Sequence, residues 1–322
     1  MDHQPPQIDL IIQPGPRLAD DAAFSRACAA LAASGDFGRV LVCRQPSGHA
    51  APTLDFAPDF AAALAACRGE IVAVMAPDAL PRPGLATGLI RRMAEPDAQA
   101  VLGPAARHDA DEPWADLLDL ANEFFDQGLA AGQTWPPLPA CAAFRARWLR
   151  DAVGRPGPGP CQATDLFALA CRVAAMGGGV VFEPQCQARA TPPSGLAGAL
   201  SLQARFGRGA ALAVRALRAN GQVGWPWPRG WPWRVVLALA VIGLLVAFAP
   251  RFPADGALWA ALGLLLFYPL ERPFLKFVTE NRPELLNRSL LFCLVRPFFW
   301  AWGMVRTGFE SLLKINLAKR AG

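Results

Sequence analysis

The stretch EIVAVMAPDALPRPG, Glu70 to Gly84, decides the fold. Its five consecutive apolar residues, Ile71 to Met75, include three that are β-branched, and such a run reads as a strand covered on both faces. The strand leads through Ala76 and Pro77 to a single carboxylate, Asp78, before Pro81, Pro83 and Gly84 turn the chain. In an open α/β sheet ligands bind beyond the carboxyl ends of the strands, so Asp78 stands where a ligand contact is expected. The competing reading is plain turn chemistry, because Asp beside Pro and Gly is common in turns.

Upstream, Ile8 to Gln13 reads as a first strand ended by Pro14-Gly15-Pro16. Ala22 to Ala33 reads as a helix capped by Asp20 or Asp21 and closed by Gly35, Arg39 to Cys43 as a second strand, and Pro58 to Cys67 as a second helix. Strand, helix, strand, helix, strand is the signature of a parallel, doubly wound sheet. Downstream follow a helix over Gly84 to Ala94, a short strand over Ala100 to Gly103, and an amphipathic helix over 114–131.

Three further segments extend the pattern. Ala140-Cys-Ala-Ala-Phe144-Arg145-Ala-Arg-Trp148 is a small-residue strand leading into a helix. After the Gly/Pro run 154–160 come Thr164, Asp165, Arg172, Gly177 and Pro184, spaced through a helix and a strand. Leu202-Gln203-Ala-Arg205-Phe206-Gly-Arg208-Gly209 places an Arg-aromatic pair before a second Arg. In this order the segments resemble the membrane-associated family 2 glycosyltransferases, whose sugar-nucleotide-binding domain has the GT-A fold. Asp78 matches the second carboxylate of that family's Asp-x-Asp motif, Asp165 its catalytic acidic motif, Phe144-Arg145 its Phe-Arg-Arg segment, and Arg205-Phe206 its Gln-x-x-Arg-Trp element.

The resemblance implies a GT-A-type nucleotide-binding sheet flanked by helices over 1–224. It implies transfer of a sugar from a nucleotide-sugar donor to a lipid-linked or polysaccharide acceptor, with inversion. Asp165 would act as base. Asp78 would hold a divalent cation, Mg²⁺ or Mn²⁺, on the diphosphate, a role one carboxylate can fill when phosphate and water supply the other ligands. Pro14, Asp78, Arg205 and Arg208 would line the donor diphosphate, and Phe144, Arg145 and Phe206 the acceptor. Gln203 lies two positions before Arg205 where processive members have three, which favours a non-processive enzyme. The chain departs from the family at Ala76, Thr164 and Cys43-Arg44-Gln45, all positions where carboxylates are usual. A catalytically inactive, membrane-bound scaffold is therefore the alternative reading. A nucleotidyltransferase ranks last, because Pro14-Gly15-Pro16-Arg17 is too short to cradle phosphates. Simpler roles also stand: Asp165 as a helix cap, Arg205 and Arg208 facing lipid phosphate, Phe206 in a core.

Composition shapes the rest. The chain has 322 residues and a net charge of +5, with its Lys and Arg excess mainly beyond residue 200. That bias fits a surface against anionic lipid, and no nucleic-acid motif accompanies it. Eight scattered cysteines with no Cys-x-x-Cys pair argue against zinc and for reduced, buried thiols. Met1 to Pro6 has the character of no signal peptide, which predicts a cytoplasmic N-terminal domain at a bacterial inner membrane, among partners from envelope biosynthesis. Four Trp residues between Trp225 and Trp233 precede the apolar run Val235 to Ala249, and a second run covers Ala257 to Leu270. Together they predict a Trp-rich interface and transmembrane helical hairpin over 225–272. The tail 273–322, broken at Arg296-Pro297, reads as basic interfacial helices, with a third membrane span as the alternative.

Overall fold

A seven-stranded sheet in the order β3-β2-β1-β4-β7-β6-β8 organises the first of two compact units. The computed structural model describes residues 7–13, 22–43, 55–76, 79–106, 112–129, 139–154, 166–190, 195–219, 231–248 and 265–321. The strands are β1 (Ile8–Ile12), β2 (Arg39–Cys43), β3 (Asp55–Ala57), β4 (Ile71–Met75), β5 (Ala79–Pro81), β6 (Ala98–Gly103), β7 (Cys141–Arg145), β8 (Gly179–Phe182) and β9 (Ala188–Ala190). The helices are α1 (Ala22–Ser34), α2 (Phe60–Ala66), α3 (Leu85–Met93), α4 (Pro113–Leu129), α5 (Ala146–Gly154), α6 (Leu166–Ala175), α7 (Gly195–Ala219), α8 (Trp231–Phe248), α9 (Phe267–Asn281) and α10 (Leu286–Ala321).

All five residues of β4 are buried, and alternate side chains serve opposite faces. Ile71, Ala73 and Met75 join Leu10 and Val40 under α1 and α3, whereas Val72 and Val74 join Ile11 and Leu41 under α2, α5 and α6. This two-sided cover is why the strand carries no polar residue. Asp9 is the buried exception on β1, and its carboxylate accepts from the backbone N–H groups of Arg68 and Gly69 at 2.6 and 2.8 Å. A charged acceptor of two backbone donors fixes the turn that launches β4.

The sheet is mixed rather than wholly parallel. β1, β2, β3 and β4 run parallel, but β7 lies antiparallel between β4 and β6. The apolar pattern that located the strand does not encode its direction, since a fully buried run reads the same either way.

The second unit comprises 109–134, 192–212 and 225–322. Its helices α4, α7, α9 and α10 share an apolar core that includes Leu117, Leu200, Phe274, Val278 and Phe292. Within it Glu271, about 1% exposed, receives Arg296 from α10 and Arg234 from α8, the latter with Nε 3.1 Å from Oε1. The Arg296 guanidinium also lies 4.9 to 5.4 Å from the ring centres of Phe274, Phe292 and Trp300, a cation–π enclosure. Arg234 further donates to the Leu270 carbonyl at 2.6 Å.

This packing corrects the transmembrane hairpin expected over 225–272. Among the described residues no helix is long and apolar enough to cross a membrane. α8 has Arg234 in its first turn, drawn in by Glu271, and it buries Val235, Ala238 and Val241. α8 packs on α9 and α10. The end of the second run enters α9, which carries Glu271, Arg272, Lys276 and Glu280; residues 249–264 lie outside the described residues. The expected break at Arg296-Pro297 is also absent. α10 continues through Pro297, its tertiary contacts outweighing the backbone hydrogen bond that proline removes.

Removing Glu271 leaves two buried guanidinium groups without their carboxylate. Glu271→Gln is expected to cost about 3–5 kcal/mol. Glu280→Gln, which loses only an exposed partnership with Lys276 at 3.6 Å, should cost about 0.5 kcal/mol or less. Thermal unfolding of the two variants side by side measures the contrast, and equal midpoints would refute it.

Candidate active site

β1 is the switch point of the sheet: β2 lies on one side of it and β4 on the other, both parallel to it. The carboxyl ends of β1 and β4 therefore open on the crevice where such sheets take ligands. At the end of β1 stands Gln13, buried, and at the end of β2 stands Cys43, half-buried. Burial, aided by the Asp59 carboxylate, pushes the Cys43 thiol up to about 12. A thiol in that state stays protonated at neutral pH and offers no nucleophile.

The backbone after β4 is held on both sides of Asp78. The Ala76 N–H donates to the Ala140 carbonyl at 2.9 Å, and the Ala79 N–H donates back to the Ala76 carbonyl at 3.1 Å. From Ala79 the chain forms β5, which pairs antiparallel with β9. β9 is tied in turn to the end of β6: the Ala188 N–H donates to the Pro104 carbonyl and the Ala106 N–H to the Ala188 carbonyl. Gly103 makes this crossing possible, since a Cβ there would sit 1.8 Å from the Cys186 carbonyl oxygen and 2.6 Å from the Cys141 Sγ.

Of the residues expected to carry chemistry, Pro14, Asp78 and Asp165 lie outside the described residues. Phe144 and Arg145 are described on β7. The Phe144 ring is wholly buried in the core under α5 and α6, and Arg145 donates to the Met93 carbonyl at 2.9 Å. Arg205, Phe206 and Arg208 lie on α7 in the second unit. Phe206 is buried and stacks on Trp300 at 5.2 Å between ring centres, while Arg205 is exposed and Arg208 half-buried. Among the described residues no group of three or more His, Cys, Asp or Glu is placed to hold a metal ion. Ala76, after β4, carries only a methyl group and brings no ligand atom of its own side chain.

Sequence reasoning passed over two residues. Gln203 entered only through its irregular spacing, yet it is buried and accepts the Trp300 indole N–H at 2.7 Å. Trp300 was read as part of an interfacial helix, and it proves wholly buried. No local signal marks that partnership, because 97 residues separate the pair.

No family model matches the chain, and no curated protein matches it. Among solved structures, a mannosyltransferase from Pyrobaculum calidifontis, in complex with GDP-mannose and Mn²⁺, is 16% identical with a TM-score of 0.45. The match covers 97% of this chain and 87% of that one. A glucosyl-3-phosphoglycerate synthase from Mycobacterium tuberculosis, in complex with Mn²⁺, UDP and phosphoglyceric acid, is 16% identical with a TM-score of 0.43, over 67% of this chain and 79% of that one.

Gly103→Ala forces either the Cys186 carbonyl or β6 to move. The expected cost is roughly 1–3 kcal/mol of stability, read as a lowered denaturant midpoint. An unchanged midpoint would show that the β5–β9 ribbon does not depend on this approach.

Proposed function

We propose that the protein is a glycosyltransferase that moves a sugar from a nucleotide-sugar donor to an acceptor hydroxyl. The observation that carries this reading is the switch point between β1 and β4, with the backbone on either side of Asp78 held by hydrogen bonds beyond the β4 terminus. A carboxylate delivered there suits a diphosphate-bound cation, and the rest of the donor set fits Mg²⁺ or Mn²⁺: phosphate oxygens and water complete a hard-cation shell around one Asp. Asp165 immediately precedes α6 and takes the acceptor proton. The transfer we assign inverts the anomeric centre, with Asp165 as base.

The acceptor we assign is lipid-linked or polysaccharide, met at the cytoplasmic face of a bacterial inner membrane alongside envelope-building proteins. The Lys and Arg excess beyond residue 200 supports that location. The second reading, a non-catalytic relative of such enzymes, is favoured by Ala76 and Thr164, where carboxylates would be expected.

Nucleotide-sugar turnover by the full chain separates the two. With Mn²⁺ or Mg²⁺ and a panel of UDP- and GDP-sugars, the wild type should release nucleotide. Asp165→Asn should lower kcat about 10²- to 10⁴-fold, and Asp78→Asn should raise the metal concentration needed for half-maximal rate. Equal background signals for all three proteins across the panel would establish the non-catalytic reading.

A further inference from the structure

A cavity of about 430 Å³ opens in the second unit, between α9 and the first turns of α10. Phe267, Leu275 and Cys293 form its floor, and Leu265, Tyr268, Leu290 and Leu294 form its rim. Its volume falls in the range of small-ligand sites, and apart from Glu271 and the Tyr268 hydroxyl its lining is apolar. The four rim side chains are themselves solvent-exposed, Leu265 and Tyr268 by 68% and 59%. Among the described residues every large hydrophobic side chain left exposed lies between Trp233 and Phe309, and none lies in the sheet unit. Exposed apolar surface concentrated in this way marks a partner.

Charge identifies the partner. Residues 225–322 carry twelve Lys and Arg against five Asp and Glu, a net charge of +7, so residues 1–224 carry a net charge of −2. The apolar surface and the positive charge thus belong to the same stretch of chain. Arg272 and Lys276, both exposed, each follow by one residue a side chain that lines the cavity, Glu271 and Leu275. On a helix they stand beside the cavity face, about 100° around the axis from those residues. An apolar mouth beside basic side chains fits an amphiphile with an anionic head, and exposed Trp and Tyr suit the boundary between headgroup and acyl chain. No described helix is long and apolar enough to cross a bilayer, and the contact inferred here is a peripheral one.

We propose that this face of the second unit docks on an anionic phospholipid surface, with Leu290 and Leu294 entering the acyl boundary, the cavity receiving the end of one acyl chain, and Arg272 and Lys276 meeting phosphate headgroups. The inference rests on the membrane location proposed above and deepens it; docking requires neither donor nor metal, so vesicle binding and sugar transfer can fail separately.

Co-sedimentation of the full chain with sucrose-loaded vesicles tests it. Binding to phosphatidylcholine vesicles holding about one quarter phosphatidylglycerol should be at least about tenfold tighter than to phosphatidylcholine alone, and should weaken as salt rises from roughly 50 to 500 mM. The pair Arg272→Glu with Lys276→Glu should abolish the preference for phosphatidylglycerol. The pair Leu290→Gln with Leu294→Gln should lower binding to both vesicles by about tenfold or more. All four side chains are exposed, so thermal midpoints should fall by no more than the small amount carried by the exposed Lys276–Glu280 pair, which excludes misfolding as the cause. Equal binding to the two vesicle types, or binding that neither pair of substitutions alters, would overturn the proposal. So would self-association that the leucine pair abolishes in a chain that ignores vesicles, since a second copy would then occupy the face.

Discussion

Burial of β4 on both faces is the constraint from which the sheet unit follows. A strand with no solvent-facing side can hold a polar side chain only where buried partners satisfy it, as they satisfy Asp9 on β1, and its peptide groups must be satisfied by neighbours on both edges. β1 and β7 provide those edges, and the helices beneath them seal the two faces. Chemistry can then enter only where the strand ends. That places the first polar side chain after Glu70, Asp78, beyond the carboxyl edge and nowhere else along this segment. The Asp9 clamp on the Arg68 and Gly69 amides sets the start of the strand, so strand length and the position of its end are determined together.

The second unit answers to a different constraint, a buried carboxylate that serves two cations. Ionic groups of this kind add little net stability over an apolar core, but a missing partner is costly, so they restrict which arrangements are tolerated. Glu271 can satisfy Arg234 and Arg296 only with α8, α9 and α10 in one arrangement. The aromatic rings around Arg296 shield its faces, which leaves its edge for the carboxylate. An apolar run that reads as a membrane span thus becomes a helix fixed by its own first-turn arginine.

The sheet unit was legible in the sequence because its signals are local. β2 and β4 fall within their expected bounds of Arg39 to Cys43 and Ile71 to Met75, and α3 lies one residue inside each end of its expected range. Strand direction was not legible, for an apolar run carries no arrow. The helices of the second unit were harder for a physical reason: Trp and Leu runs have the same hydropathy whether they face lipid or protein. Arg234 just before the first run and Glu271 just after the second were the available clues, and their meaning depends on a contact across 37 residues. Pro297 misled in the same way, because local propensity predicts a break that tertiary packing overrides. Of the candidate site, the flanks of Asp78 are placed by β4 and β5. The carboxylates themselves, Asp78 and Asp165, lie outside the described residues, near Gly- and Pro-rich sequence that carries no apolar period to read.

The arginines of α7 show how a packing seam decides from which side of a helix its cations leave. Gln203, Phe206, Gly207 and Ala210 fall within about 100° of one another on the helix, and all four are buried. Gln203 holds the Trp300 indole, Phe206 stacks on its ring, and Gly207 lies so close to α10 that a Cβ would sit 2.1 Å from the Trp300 carbonyl oxygen. Gly303 mirrors this approach from α10, where a Cβ would lie 2.0 Å from the Ala204 carbonyl oxygen. A seam this close leaves α7 no freedom to roll. Arg205 and Arg208, about 60° apart, are therefore turned together to the side away from the seam. A Gln three positions before Arg205 would stand about 90° from the centre of the seam, too far around to reach the indole as Gln203 does. The spacing of two that departs from the pattern the sequence resembles is thus what the Trp300 contact requires, and it fixes the side of α7 from which both arginines leave.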